Sequence, residues 1–221
     1  MKKILLVIAA SLGLSLAETA RADGLALGLK IGTLGPGVEA AAFVTSNLNL
    51  RAAGNYIAFN YKVGVDDINY NGNLRLSTLL GLVDLHPFGG GFRLSGGVVI
   101  NDSKIDLTGK PANDTVKIGG TTYPSASVGQ INGQATFDHI APYAGIGYGA
   151  PVNDGTDFSF SFDLGVIIQS SPQISLSATG AAASDPTFRS DLNKERDRAQ
   201  NVADKFRLYP VLSFGICYQF W

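Results

Sequence analysis

Seven ionisable residues stand inside otherwise apolar or small-residue runs, and their charges are complementary. They are Lys30 in LALGLKIG, Glu39 in GVEAAAFVT, Arg51 in NLRAAG, Asp84 and His86 in LVDLHPF, Arg93 in GFRLSGG and Asp163 in FSFDLG. Carboxylates and guanidinium groups in such surroundings can neutralise one another as buried pairs. The same groups can also bind the amine and carboxylate ends of a zwitterionic solute. Hydrolytic chemistry lacks its parts. The two histidines are His86 and His139, and no serine is placed beside either at a spacing that makes a nucleophile and base pair. The F-x-H-x-S pattern of outer-membrane acyl hydrolases is absent; PFGGG and FDHIAP do not supply it. Two imidazoles without a third clustered ligand make no metal site. The single cysteine, Cys217, has no partner for an internal disulfide and reads as a small filler. The expectation is a protein with no catalytic centre, metal or cofactor.

The elements that must hold these groups read as strands. In LALGLKIG, Leu25, Leu27, Leu29 and Ile31 alternate with Ala26, Gly28, Lys30 and Gly32. In FSFSFDLGVIIQ, Phe158, Phe160, Phe162, Leu164, Val166 and Ile168 alternate with Ser159, Ser161, Asp163, Gly165, Ile167 and Gln169. A period of two over that length is a strand signal. Runs of this kind fall at about 24–33, 37–45, 48–62, 74–88, 92–107, 133–152, 156–177 and 206–221. The links near 46–49, 89–91 and 153–155 are tight, and the longer ones near 64–73, 108–132 and 178–205 all lie at the opposite end. Short turns at the end bearing both termini, with long loops at the other, is the layout of an outer-membrane barrel.

Size decides which face is outside. An eight-stranded barrel has room inside for side chains and little else. Gly, Ala, Ser and isolated charges fit there, and rows of Phe and Leu do not. The greasy face therefore points outward, and its solvent is lipid. The C-terminal LSFGICYQFW follows: Phe220, Tyr218, Ile216, Phe214 and Leu212 share the outward face, and Trp221 is one further ring at the interface. Phe88, Phe92, Tyr148, Phe158, Phe220 and Trp221 form the expected aromatic girdle near the short turns. The fold class is all-β: an eight-stranded antiparallel up-and-down transmembrane β-barrel, with a short helix in its last extracellular loop. That helix is read from SDLNKERDRAQNVADKF, 190–206, capped by Ser190, either packed on the rim or acting as a lid or plug.

The N-terminus, Met1-Lys2-Lys3 followed by ILLVIAASLGLSL and Ala20-Arg21-Ala22, has the form of a cleaved secretory signal. The expected division is a signal over 1–22 and a barrel over 23–221. Three cations leave with the signal against Glu18, so the mature chain is more acidic than the formal −1 of the whole. Bulk charge thus excludes a nucleic-acid partner.

The segment IAPYAGIGYG (140–149), the long strand after it, and a charged last loop running into YPVLSFG resemble small outer-membrane barrels of the CarO type. LHPFGGGFRLSGG (85–97) is similar to wider relatives of that family. The resemblance spans essentially the mature chain, and Trp221 departs from it at the terminus. It implies an exported protein of the bacterial outer membrane that takes up small basic or zwitterionic amino acids. Its partners would be membrane lipid, lipopolysaccharide and the barrel-assembly machinery that reads the C-terminal strand. Two functions stay open. The leading one is a narrow channel for amino-acid-sized solutes, lined or plugged by Lys30, Glu39, Arg51, Asp84, His86, Arg93 and Asp163. The other is a non-conducting structural or surface-interaction protein. A lateral route for hydrophobic molecules of the OmpW type requires a continuous apolar lumen, and these charges oppose it.

Overall fold

Alternation builds the wall directly. The computed structural model describes residues 24–65, 68–149 and 158–220. Eight strands close the ring: β1 (Leu25–Gly32), β2 (Gly37–Thr45), β3 (Leu48–Val65), β4 (Ile68–Leu85), β5 (Phe92–Asn101), β10 (Ile140–Tyr148), β11 (Phe158–Ile168) and β13 (Leu208–Gln219). Every neighbour is antiparallel. β13 returns to pair with β1, and β4 with β5 completes the circuit, so no wall strand keeps an open edge. The outward residues are apolar and bare: Leu29 is 70% and Phe160 73% exposed, values that fit a chain whose outer solvent is hydrocarbon. No described helix is long and apolar enough to cross a membrane.

Five of the aromatic residues expected in the girdle lie at the short-turn end. Phe88 packs on Phe92, with centroids 5.9 Å apart. Tyr148 is in register with Phe92, and Phe158 with Tyr218. Tyr218 links Phe158 and Phe220 through ring contacts of 5.0 and 5.3 Å. Trp221, the signal segment 1–22 and the link near 153–155 lie outside the described residues.

The long loops are not loops. β3 and β4 run 18 residues each and stay paired to Val65 and Ile68. The long link expected over 64–73 is therefore two residues. Above the ring, β4 exchanges partners. Residues 78–85 pair with β5, and residues 68–75 pair with β6 (Lys104–Pro111), which continues to β9 (Ile131–Thr136) and β12 (Gln173–Ala178). The runs expected at 92–107, 133–152 and 156–177 each break where the chain leaves the wall for this second sheet. The rest of the cap is the hairpin β7 (Thr115–Ile118) and β8 (Thr121–Pro124), the short helix α1 (Ser125–Val128) and the helix α2 (Pro186–Ala203). Gly119 and Gly120, with φ of 61° and 98°, make the two-residue turn that needs positive φ at both positions.

Helix α2 starts earlier than the expected 190–206. Asp185, not Ser190, is its cap, accepting from Phe188 N at 2.9 Å, and Pro186 occupies the first turn, where its missing N–H costs nothing. The earlier start brings Phe188 into the cap. There it is fully buried with Ile68, Val116, Ile118, Val128 and Ile131, and meets Tyr123 edge-on at 5.0 Å. The cap thus has a hydrophobic core of its own.

Candidate functional site in the barrel lumen

The inward positions of the wall bring all seven sequence candidates to the inside, each buried. Arg51 is the hub. Its Nη1 donates to Asp163 Oδ2 at 2.8 Å, and its Nη2 to Asp163 Oδ1 and Asp84 Oδ1, both at 3.1 Å. Nε of Arg51 lies 2.8 Å from Asp84 Oδ2, an ion contact without hydrogen-bond alignment. Glu39 stands 3.6 Å from Arg51 and 3.3 Å from Lys30. Arg93 donates to Asp163 Oδ1 at 2.6 Å and to the Gly149 carbonyl. Three cations and three carboxylates therefore balance within one connected network. The side chains of Arg51, Asp84 and Arg93 have 0% exposure, and that of Asp163 4%.

Backbone geometry makes the room. On β10, Gly147 faces this cluster, and a Cβ there would sit 2.7 Å from Arg93 Nε and 2.8 Å from Asp163 Oδ1. The Lys30–Glu39 pair forms diagonally rather than face to face. Lys30 is opposite Gly37 and Glu39 opposite Gly28, because the β1–β2 turn is centred earlier than the expected Leu34 and Gly35. Long side chains still reach across such a diagonal.

His86 is separate from the ion network and closes the short-turn end. Its Nδ1 lies 2.9 Å from the Gly90 carbonyl, which can only accept, so the proton sits on Nδ1. Nε2 then accepts from Asn49 Nδ2 at 3.1 Å. The Asn47 side chain donates to the His86 carbonyl at 2.6 Å, tying two neighbouring turns together.

Two contributors escaped the sequence reading. Ser95 donates to Asp84 Oδ1 at 2.6 Å, and Ser213 Oγ lies 3.3 Å from Asp163 Oδ2. Both were legible as inward positions, Ser95 by its i, i+2 spacing from Arg93. Toward the cap end, the lumen changes character. Leu80, Leu82, Val99, Tyr143, Ile167 and Val211 are buried there against Leu34, Ala53 and Ala141. The expectation that the inside holds only small or polar residues fails at this level. LSTLLGLV is apolar on both faces, and Thr78, Leu80 and Leu82 are its inward set. Tyr143 fits because β10 and β11 carry Gly145 and Gly165 beneath its ring. The bore thus holds an ionic layer below an apolar layer.

A closed eight-stranded wall with a lipid-facing exterior and a filled interior defines the fold as that of an outer-membrane β-barrel. Two solved structures from Acinetobacter baumannii are similar to it. CarO2 aligns with a TM-score of 0.59 at 18% identity, covering 89% of this chain and 98% of that one. CarO aligns with a TM-score of 0.58 at 21% identity, covering 89% of this chain and 97% of that one. The fold is therefore the CarO-type barrel that the sequence resembles. No family model matches the sequence. No curated protein matches it either.

Proposed function

We propose that this protein is an outer-membrane barrel whose wall is a closed anchor and whose working surface is the cap. The observation that carries this reading is the filled bore: Arg51, Asp84 and Arg93 are wholly screened from solvent, and an apolar layer lies above them. A conducting pore needs a continuous aqueous gap between polar walls, and two stacked layers of buried side chains oppose one. On this reading the chain is exported by the signal over 1–22 and inserted through recognition of β13 with its closing Phe220. It then sits among lipid and lipopolysaccharide with the cap outward.

The test is swelling of liposomes that hold the refolded protein, with folding established by its heat-sensitive gel mobility. Glycine, ornithine and a sugar of similar size are the solutes. No swelling is expected with any of them. Swelling with the amino acids and not the sugar would overturn the closed-anchor reading in favour of a selective amino-acid channel. One observation favours that second reading. Arg93 Nε and Asp84 Oδ2 make no aligned hydrogen bond, so the network retains donor and acceptor capacity a zwitterion would satisfy.

A further inference from the structure

We infer that the cap holds a binding site for a small anionic amphiphile, of the chemical class of medium-chain fatty acids. The site is the space between the second sheet and helix α2, a cavity of about 900 Å³. That volume lies within the range of small-molecule sites, roughly 300–1,000 Å³. Its position follows from how the helix is hung. α2 is tied to the hairpin where Gly119 N donates to Glu195 Oε1 at 2.8 Å, and to β12 where Ile174 N donates to Gln200 Oε1 at 2.9 Å. Between these ties the helix presents Ala199, whose methyl group is too short to fill the space below it.

The floor is one row across three strands. Leu107 is in register with Gly133, and Gly133 with Leu176, so the two leucines flank a bare backbone position. An apolar floor of this kind offers water few partners and favours the apolar part of a guest. The charged residues lining the cavity are Lys117, Glu195 and Arg198. Glu195 is already engaged by Gly119 N and by Arg198 Nη1, the latter at 2.9 Å. The Lys117 side chain has no ion pair or hydrogen bond among the described residues, which leaves one uncompensated cation. An apolar body with one anionic head matches both features. The inference rests on the cap being the outward, working part of the molecule.

The test uses the folded protein in lipid nanodiscs, titrated calorimetrically with decanoate against empty nanodiscs. Decyltrimethylammonium, with the same chain and the opposite head, is the comparison. Saturable one-to-one binding of decanoate is expected, with Lys117→Gln weakening it by up to about fivefold, the upper end for an exposed ion pair. Ala199→Trp, which fills the cavity from an exposed helix position, is expected to abolish it. Absence of protein-dependent binding would overturn the inference. So would equal binding of the ammonium amphiphile, or decanoate binding that Ala199→Trp leaves intact. Swelling assays on the same preparation separate the two proposals. Decanoate binding by a conducting barrel refutes the closed anchor alone, and a closed barrel without decanoate binding refutes the site alone.

Discussion

Replacing Arg51 with Met is the most direct probe of the lumen. The change keeps an unbranched apolar stem but removes the guanidinium that contacts Asp84, Asp163 and Glu39. Arg93 and Lys30 then face three carboxylates, leaving one buried negative charge without compensation. Breaking a buried pair by removing one partner costs about 3–5 kcal/mol, chiefly because the other charge is stranded. The double variant Arg51→Met with Asp163→Asn restores the balance at two against two. It is expected to recover most of the loss, giving a coupling energy above about 1.5 kcal/mol, as residues in one network do. The assay is equilibrium urea unfolding in lipid, followed by the heat-sensitive mobility shift. A single variant within about 1 kcal/mol of the parent, or a double variant showing the sum of the two losses, would refute the idea that balanced charge holds the interior together.

Three other outcomes follow from the same structure. Gly147→Ala is expected to lower barrel stability by about 1–3 kcal/mol, because its methyl group meets Arg93 and Asp163; unfolding at parental urea would contradict this. Phe160→Lys on the bare outer face is expected to cost up to about 4 kcal/mol in lipid, falling toward zero nearer the interface, and the same unfolding assay measures it. In the cap, hydrogen bonds from Lys194, Thr121 and Tyr123 hold the Asp191 carboxyl down at about 2. A carboxylate depressed in the folded state stabilises above its unfolded value near 4 and loses that contribution as pH falls toward 2. Protection of the α2 amides relative to intrinsic exchange should therefore be high at pH 5 and fall between about 4 and 2, a fall that Asp191→Asn removes.

The wall was legible because two solvents write it. Lipid outside and a narrow bore inside enforce a strict period of two, so β1, β11 and β13 could be oriented residue by residue. All seven charged candidates fell on inward positions for the same reason. The cap was illegible because its sheet meets water on one face. In INYNGNLR, the exposed alternate positions are Asn69, Asn71 and Asn73, a composition that reads as a loop when lipid is assumed outside. Its partner, β6, lies beyond β5 in sequence, and nothing local announces that pairing. Asp185-Pro186 carried a true helix-start signal, overlooked because the apolar stripe was counted from Leu192. The apolar layer of Leu80, Leu82 and Tyr143 was missed for a packing reason: glycines on neighbouring strands create the width that large inward side chains require.

Strand β4 belongs to two sheets at once, and its even-numbered face carries Asp84, Leu82 and Leu80 below and Tyr70 and Ile68 above. A single reading frame therefore governs both halves of the molecule. Removing one residue near Ser77 would turn every cap-facing side chain of β4 outward while the wall stayed in place. The cap is consequently not a module that can be cut at a linker and moved to another barrel. Any transplant must carry the upper β3–β4 hairpin with it and join the host in phase, in steps of two residues. Variation among proteins of this shape should then concentrate in β7, β8, α1 and α2, which hang from the shared strand without setting its parity.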